Sequence, residues 1–176
     1  MKKKIIVVTG GAGFVGSNLI RELLKLKKYR IISLDDYSSG TKKNHFKNSN
    51  VNYIKSHTKN INKVLKRYRK DIKTIFHFGE FARIHQSFNN LGKCFESNLG
   101  GTLEVFRFCL KNNIKLIYSA TSASLGNGGN DKNLSPYAFS KAKNLELLDN
   151  FKSWFGLKYE VIYIYNVYWP NQIYKG

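Results

Sequence analysis

The stretch IIVVTGGAGFVGSNLIRELL, residues 5–24, predicts a β-strand, a glycine-rich loop and an amphipathic α-helix in immediate succession. Its first part, from Ile5 to Val8, is a short apolar β-branched run bounded by turn residues, which is typical of a central parallel strand buried on both faces. From Leu19 to Leu24 apolar residues recur at helical spacing, so the helix begins within or just after the glycines. A strand, a loop and a helix in this order favour a nucleotide-binding unit.

Three glycines in the loop, Gly10, Gly13 and Gly16, form the pattern GxxGxxG. The first is expected to make the tight turn, the second to let the backbone approach a pyrophosphate, and the third to pack the helix against the strand. The N-terminus of the helix presents free N–H groups and the positive end of its dipole to that phosphate. Together with Phe14 and Val15, these glycines are the predicted phosphate-side contacts of a dinucleotide.

An acidic residue about twenty positions after the glycines is the expected partner of the adenine ribose. Residues 30–34 (RIISL) predict the second strand, which delivers Asp35 with Asp36 beside it. A carboxylate there can accept both ribose hydroxyls and repels a 2′-phosphate, so NAD is the predicted cofactor in preference to NADP. A glycine-rich hairpin followed by a chance acid is the alternative, and the order of strand, loop, helix, strand and acid disfavours it.

Strand-like and helical patterns alternate along the rest of the chain without an internal repeat. This alternation predicts an α/β fold with a doubly wound parallel sheet of about six strands, the Rossmann architecture, in a single domain over residues 1–176. Ser135 and Pro136 mark the start of the last helix and Gly156 its end. The later strands are predicted at 51–54, 74–78, 115–119 and 159–164, and the later helices at about 60–70, 92–111 and 136–155.

The composition is that of a folded chain, with 42% hydrophobic and 14% aromatic residues among 176. An apolar run of the ~20 residues that span a bilayer is missing, and the N-terminal MKKK leads into a strand without a small-residue cleavage site, so we expect a cytoplasmic protein with no membrane partner. Cys94 and Cys109 do not stand at metal-ligand spacing. They are therefore expected to be reduced core residues, and no metal is predicted.

The formal net charge of +19 raises the question of a nucleic-acid partner. The basic residues are mostly Lys and are scattered along the chain, whereas specific readers of nucleic acid usually concentrate them on one element. Lys, Asn, Ile, Phe and Tyr are all abundant and all have A/T-rich codons, so genome composition explains the charge about as well. We therefore predict no nucleic-acid partner.

Tyr137 and Lys141 stand four positions apart at the start of the last helix, so both side chains project from one face toward the carboxyl edge of the sheet. This YxxxK pair is a candidate acid–base pair. A Tyr has an ordinary pKa near ~10, and a neighbouring ammonium and a cationic nicotinamide both favour the phenolate and lower that pKa. Thr121 closes the fifth strand, whose end faces the same crevice. A solvent-facing pair is the alternative, which the dinucleotide pattern disfavours.

With these motifs, the chain resembles the extended short-chain dehydrogenase/reductase family, the NAD-dependent epimerases and dehydratases of sugar nucleotides, and within it the UDP-glucose 4-epimerase-like proteins. The resemblance covers essentially the whole chain. The segments that carry it are TGGAGFVGSNL (9–19), LDDYSSG (34–40), FHFGEFARIHQS (76–87), NLGGT (98–102), YSATSASLG (118–126), SPYAFSKAKNLE (135–146) and YNVYWP (165–170).

The resemblance implies functional roles for individual residues. Thr121, Tyr137 and Lys141 would be the catalytic residues, and Ser87 and Asn166 would contact the sugar-nucleotide substrate. The NAD contacts that it implies are Gly10, Gly13, Phe14, Val15, Gly16, Asp35, Asp36, Phe78, Gly79, Asn98, Ser119, Tyr137 and Lys141.

The sequence also departs from the family pattern. Dehydratases follow the active-site Thr with Asp-Glu, whereas Ser122 and Ala123 stand here, so dehydration is not expected. His57 stands where family members often have an Asp beside the adenine. Near the end of the chain, the usual RYFNVYGPR is replaced by YIYNVYWPN, so that Tyr163, Trp169 and Asn171 replace Arg, Gly and Arg.

Family members continue well beyond the length of this sequence into the domain that clamps the nucleotide sugar. We therefore expect the cofactor-binding N-terminal half of an NAD-dependent nucleotide-sugar epimerase acting on a UDP-sugar, without a C-terminal substrate domain and inactive as an isolated 176-residue chain. The alternative is a non-catalytic NAD-binding or subunit-interaction module. If the helices at about 92–111 and 136–155 form the dimer face, as in the family, the chain pairs with itself or with a full-length relative.

Overall fold

The computed structural model describes residues 3–122, 126–165 and 167. Within these residues the chain forms one parallel sheet of six strands in the order β3-β2-β1-β4-β5-β6. This confirms the predicted doubly wound sheet. The strand order reverses between β1 and β4, so the carboxyl ends of these two strands flank a crevice. The strands are β1 (Ile5–Thr9), β2 (Arg30–Asp35), β3 (Val51–Lys55), β4 (Ile72–His77), β5 (Lys115–Thr121) and β6 (Tyr159–Ile164).

Helices cover both faces of the sheet because parallel strands are joined by crossover connections. The α-helices are α1 (Phe14–Lys25), α2 (Ile61–Val64), α3 (Ile84–Asn89), α4 (Leu91–Phe95), α5 (Thr102–Lys111) and α6 (Pro136–Phe155). Short 3-10 segments occupy Lys42–Asn44, Thr58–Asn60 and Gly126–Asn133, and a π-helical segment occupies Glu96–Gly101.

The apolar residues of the strands form a core on each side of the sheet. On one side Val7, Leu34 and Ile75 join Phe106 of α5 and Tyr118. On the other side Ile6, Val8 and Ile31 pack with Ile20 of α1. Burial on both faces explains why β1 reads as a continuous apolar run rather than an alternating one.

The last helix begins and ends where the sequence predicts. The Ser135 side chain accepts a hydrogen bond from the backbone N–H of Ala138 at 3.0 Å, and Pro136 occupies the first helical position. Gly156 adopts a left-handed conformation with φ of 75° and ends the helix. Because φ in this region disfavours any residue with a Cβ, glycine is the natural terminator here.

Two predicted helices differ in the structure. The one expected at about 60–70 is reduced to the four residues of α2, because Ile61 and Leu65 are buried while the following basic residues offer no apolar face. The one expected at about 92–111 widens into the π-helical segment before α5. There a Cβ on Gly101 would lie 2.3 Å from Thr58 Oγ1, so a close approach between two elements accompanies the irregular turn.

His77, the last residue of β4, is fully buried between two hydroxyl groups. Its Nδ1 lies 2.6 Å from Thr9 Oγ1 and its Nε2 lies 2.9 Å from Thr102 Oγ1. Burial lowers the pKa of His77 from 6.5 to about 4, the nearby Glu80 carboxylate opposes that shift, and Lys141 adds to it. His77 is therefore a neutral core residue.

The buried imidazole predicts a loss of stability in acid. Above pH 6.5 His77 is neutral in both the folded and the unfolded chain, but between pH 6.5 and about 4 only the unfolded chain takes up the proton. The gap in pKa corresponds to about 3 kcal/mol of unfolding free energy lost over that range. Urea unfolding of the wild type and of His77→Asn at several pH values measures it, and the variant is expected to show a shallower pH dependence.

The exposed His85 supplies the control for that experiment. His85→Asn is expected to keep the wild-type slope. Equal slopes for the wild type and for His77→Asn would show that the buried imidazole does not contribute to acid unfolding.

Candidate active site

A cavity of about 1340 Å³ opens at the carboxyl edge of the sheet, beside the loops that follow β1 and β4. Its volume exceeds that of ordinary small-molecule pockets, which are about 300–1,000 Å³. Its wall brings together residues from the glycine loop, the end of β2, the end of β4, β5 and α6. The residues of this wall that the sequence singled out are Gly10, Gly13, Phe14, Val15, Gly16, Asp35, Asp36, Phe78, Gly79, Ser119, Thr121, Tyr137 and Lys141.

The glycine loop is packed so tightly that the first and third glycines of the GxxGxxG pattern leave no room for a side chain. Gly10 has φ of +68°, and a Cβ there would lie 2.7 Å from the carbonyl carbon of Phe78. A Cβ on Gly16 would lie 2.3 Å from the carbonyl oxygen of Gly10. These contacts match the tight turn and the close packing expected for the first and third glycines. Gly13 is less crowded, with its nearest contact at 3.2 Å.

Gly79 is constrained by the protein itself. A Cβ there would lie 3.0 Å from Thr9 Cβ and 3.1 Å from both the Gly10 nitrogen and Thr58 Cγ2. The approach of the loops after β1 and β4 therefore favours a small residue at this position.

The Asp35 carboxylate is buried at the end of β2 and is held by backbone N–H groups. Its Oδ2 accepts a hydrogen bond from Ala12 at 2.9 Å and its Oδ1 accepts one from Tyr37 at 2.8 Å. Burial raises the pKa of Asp35, and these two hydrogen bonds oppose the shift. Each oxygen keeps a further lone pair, so the carboxylate can still accept a ribose hydroxyl. The contact with Ala12, which the sequence did not reveal, fixes Asp35 beside the glycine loop.

Thr121, Tyr137 and Lys141 meet on the opposite wall, as the spacing predicted. Thr121 is hydrogen-bonded to Tyr137 and lowers the pKa of that phenol. Burial nevertheless raises the pKa of Tyr137 above its ordinary value, and the Glu80 carboxylate adds to the rise. The predicted lowering of this pKa by the Lys141 ammonium and a cationic nicotinamide refers to the site with the cofactor bound and stays a prediction; in this structure the ammonium is paired with the Glu80 carboxylate.

Lys141 is almost fully enclosed, with 3% of its surface exposed. Its ammonium donates hydrogen bonds to Glu80 Oε2 and to the carbonyl oxygen of Ser119, and it lies 4.4 Å from the centroid of the Tyr118 ring. Burial lowers the pKa of Lys141, while the Glu80 carboxylate opposes the shift. Sequence reasoning did not single out Glu80, although an acid directly after Phe78–Gly79 at the end of β4 was the available signal.

Two residues expected at the ligand lie behind the cavity wall. Asn98 is buried in the π-helical segment, where its Oδ1 accepts from the Phe81 N–H at 2.6 Å and its Nδ2 donates to the Phe81 carbonyl at 3.1 Å. Ser87 Oγ donates to the Ile84 carbonyl at 2.5 Å and accepts from the Tyr137 N–H at 3.3 Å. In this structure both side chains hold the loop and helices that form the wall.

Ser119 and Asn166 complete the predicted set. Ser119 lines the cavity, and its hydroxyl donates to the His77 carbonyl at 2.9 Å. Asn166 lies outside the residues that the structure describes. Within the described ranges, no group of three or more His, Cys, Asp or Glu residues could hold a metal ion, and no helix is long and apolar enough to cross a membrane.

The family model of the NAD dependent epimerase/dehydratase family matches residues 6–175. The chain belongs to this family. Epimerases are also its structural neighbours. A UDP-N-acetylglucosamine 4-epimerase from Methanobrevibacter ruminantium, solved with UDP-N-acetylmuramic acid, has a TM-score of 0.86 and 31% identity, and the match covers 100% of this chain and 59% of that one.

Two further neighbours are UDP-glucose 4-epimerases. The enzyme from Thermotoga maritima, solved with UDP-glucose, has a TM-score of 0.87 and 27% identity over 98% of this chain and 59% of that one. The enzyme from Thermus thermophilus, solved with NAD, has a TM-score of 0.83 and 26% identity over 96% of this chain and 57% of that one. This chain also spans only 57% to 59% of the length of the curated relatives that it matches.

The packing of the glycine loop predicts a strong difference between two glycine substitutions. Gly16→Ala forces a Cβ against the Gly10 carbonyl and is expected to destabilise the fold by about 1–3 kcal/mol, as overpacking does. Gly92→Ala in α4 meets open space and is expected to stabilise the fold by about 0.4–1 kcal/mol. Thermal unfolding of both variants measures the difference. Equal melting temperatures would mean that the loop relaxes without cost.

Proposed function

We propose that the chain is the cofactor-binding half of an NAD-dependent nucleotide-sugar epimerase that transiently oxidises and reduces the sugar at C4. The observation that carries the proposal is the cavity itself, in which the glycine loop and Asp35 on one wall face Thr121, Tyr137 and Lys141 on another. A dinucleotide-binding loop and a proton-transfer pair in one cavity fit redox chemistry on a bound alcohol.

The described residues fit NAD. Gly10 and Gly16 leave no space for side chains, and the less crowded Gly13 lies on the cavity wall, so the loop presents bare backbone where a pyrophosphate approaches. Asp35 is fixed at the end of β2 with lone pairs left for ribose hydroxyls. NAD supplies the reversible oxidation of the sugar carbon when it is bound.

The protein's own part of the chemistry is proton transfer at the sugar hydroxyl. Tyr137 Oη would take the proton as phenolate and return it as phenol, and Thr121 would donate a hydrogen bond to the reacting oxygen. Lys141 would hold the nicotinamide ribose, for which its ammonium must share or leave Glu80. Ser122 follows Thr121 on the cavity wall and carries no carboxylate, so elimination of water lacks its acid there.

A UDP-sugar is the substrate class that the neighbours support, since two of them were solved with UDP-sugars. The second candidate function, a non-catalytic NAD-binding or subunit-interaction module, is favoured by the share of the relatives' length that the chain spans. A homodimer remains a prediction. Static light scattering at increasing concentration tests it, and a strict monomer contradicts it.

Cofactor choice provides the first test. NAD is expected to bind at least tenfold more tightly than NADP, because a phosphate dianion beside the Asp35 carboxylate costs about 1–3 kcal/mol. Calorimetric titration of both cofactors into the wild type measures the ratio, and Asp35→Ala is expected to narrow it. The matched control is Asp149→Ala, which removes an exposed carboxylate on α6 and is expected to leave the ratio unchanged. Equal affinities in the wild type would contradict the role of Asp35.

Binding and turnover are expected to separate in the 176-residue chain. NAD at a hundredfold excess over its Kd should stabilise the fold by about 2.7 kcal/mol, since it binds only the folded state. Interconversion of UDP-glucose and UDP-galactose is expected to stay at the level of Tyr137→Phe, because positioning of the sugar is worth about 7 kcal/mol or more of barrier and the chain spans only 58% to 59% of the length of two epimerase relatives. A thermal shift experiment measures the stabilisation by NAD, and a coupled assay measures the interconversion of the sugars. Absence of NAD binding would contradict the proposal that the chain is a cofactor-binding half. A turnover rate above that of Tyr137→Phe would contradict the expected inactivity.

A further inference from the structure

The loop after β4 places Glu80 at the cavity wall, where its side chain is only 4% exposed and holds the Lys141 ammonium. Oε2 accepts the hydrogen bond from Lys141 Nζ. Oε1 accepts hydrogen bonds from Thr102 Oγ1 and from the Tyr118 hydroxyl, each at 3.0 Å, and from Asn144 Nδ2 at 3.1 Å. All four donors belong to buried residues, so the carboxylate is built into the site by α5, β5 and α6 together.

Burying a carboxylate costs desolvation free energy, which its hydrogen bonds offset in part, and a buried ion pair is weak evidence that the charge is there for stability. The Lys141 ammonium explains why a carboxylate is buried here. An unpaired ammonium at 3% exposure would pay the full cost of burial, whereas a carboxylate in contact cancels its charge. Glu80 and Lys141 therefore form a neutral unit beside Tyr137.

Three other titratable groups near Tyr137 do not alter this balance near neutral pH. Burial lowers the pKa of His77 to about 4 and raises the pKa of Tyr118 and of Cys94, so all three are uncharged there. Arg83 and Asp131 also line the cavity. The charged pair buried beside Tyr137 is thus Lys141 with Glu80.

We propose that Glu80 is a positioning residue of the active site, which anchors Lys141 and cancels its charge, so that Glu80 controls how much of Tyr137 is phenolate at a given pH. The inference rests on the proposed roles of Tyr137 and Lys141. In the resting site Tyr137 is a phenol, and Lys141 promotes its ionisation only to the extent that the ammonium is released from Glu80.

Three variants of the carboxylates separate charge from structure. Glu80→Gln keeps the size and an oxygen acceptor but removes the charge, and it is expected to move the titration midpoint of Tyr137 down by about one pH unit, a tenfold gain in phenolate below the midpoint. Glu80→Asp keeps the charge and is expected to stay near the wild type. Glu96→Gln breaks the exposed pair with Lys59 and should leave the midpoint unchanged.

The midpoint is measured from the ultraviolet absorbance of the phenolate as pH rises. For each protein, the absorbance of the same protein with Tyr137→Phe added is subtracted, so that the difference reports the ionisation of Tyr137 alone. Neither NAD nor a sugar is needed, so a failure of the proposed NAD binding does not affect this readout. If the role of Glu80 were purely structural, Glu80→Gln would lower the melting temperature without moving the titration midpoint of Tyr137. That result would overturn the inference.

Two further measurements keep the test decisive if Glu80→Gln does not fold. The double variant Glu80→Gln/Lys141→Met removes both charges, and its midpoint is expected within about half a pH unit of the wild type, since a neutral pair replaces a neutral pair. The wild type itself is expected to titrate at or above the ordinary value near ~10. A wild-type midpoint near neutral pH would show that the charge of Lys141 acts on Tyr137 undiminished, and would overturn the inference.

Discussion

The close approach of the loops after β1 and β4 is the constraint on which the rest of the site depends. Gly10 lies against the Phe78 carbonyl and Gly79 lies against Thr9, so neither loop has room for a side chain at the point of contact. The hydroxyl of Thr9 closes the same junction by accepting hydrogen bonds from the N–H groups of Phe78 and Gly79, at 3.1 and 3.0 Å. Because these strands flank the point where the sheet order reverses, this junction fixes where the cavity opens.

From this junction the loop after β4 carries Glu80 across the sheet edge to Lys141 on α6. Two neighbouring anchors keep the loop in place, since both Asn98 amide atoms bind Phe81 and Ser87 binds the N–H of Tyr137. The proton-transfer residues are therefore positioned by Glu80 on the cavity wall and by Asn98 and Ser87 behind it. A buried ion pair is weak evidence for stability, and titratable groups enclosed at a cavity are the pattern expected where a site is arranged for chemistry.

The sequence predicted those parts of the fold and site that local spacing encodes. The glycine loop, Asp35 and the pair Tyr137 and Lys141 are defined by intervals of a few residues or by one strand–helix–strand unit, and all of them line the cavity. The positions of Glu80 and Asn98 in the site could not be predicted from local spacing. The hydrogen-bond partners of Glu80, for example, belong to α5, β5 and α6 and are 22 to 64 positions away in the sequence. The helix expected at about 60–70 was overestimated for a similar reason. Periodicity over Ile61 and Leu65 indicated an apolar face, but the α-helix ends at Val64, and Tyr68 packs against the core from the turns that follow it.

The buried hydroxyl groups around His77 show that the core and the site form one hydrogen-bonded system. Thr9 Oγ1 already accepts from two N–H groups, so its own proton is directed to His77 Nδ1. His77 Nε2 must then carry the ring proton and donate it to Thr102 Oγ1, whose hydroxyl donates in turn to Glu80. Every donor in this chain points toward the carboxylate, which is the arrangement that a negative charge at its end stabilises. A protonated His77 would place two protons between Nδ1 and Thr9 Oγ1, so this chain of hydrogen bonds requires the neutral imidazole, although the Glu80 carboxylate by itself favours the protonated ring.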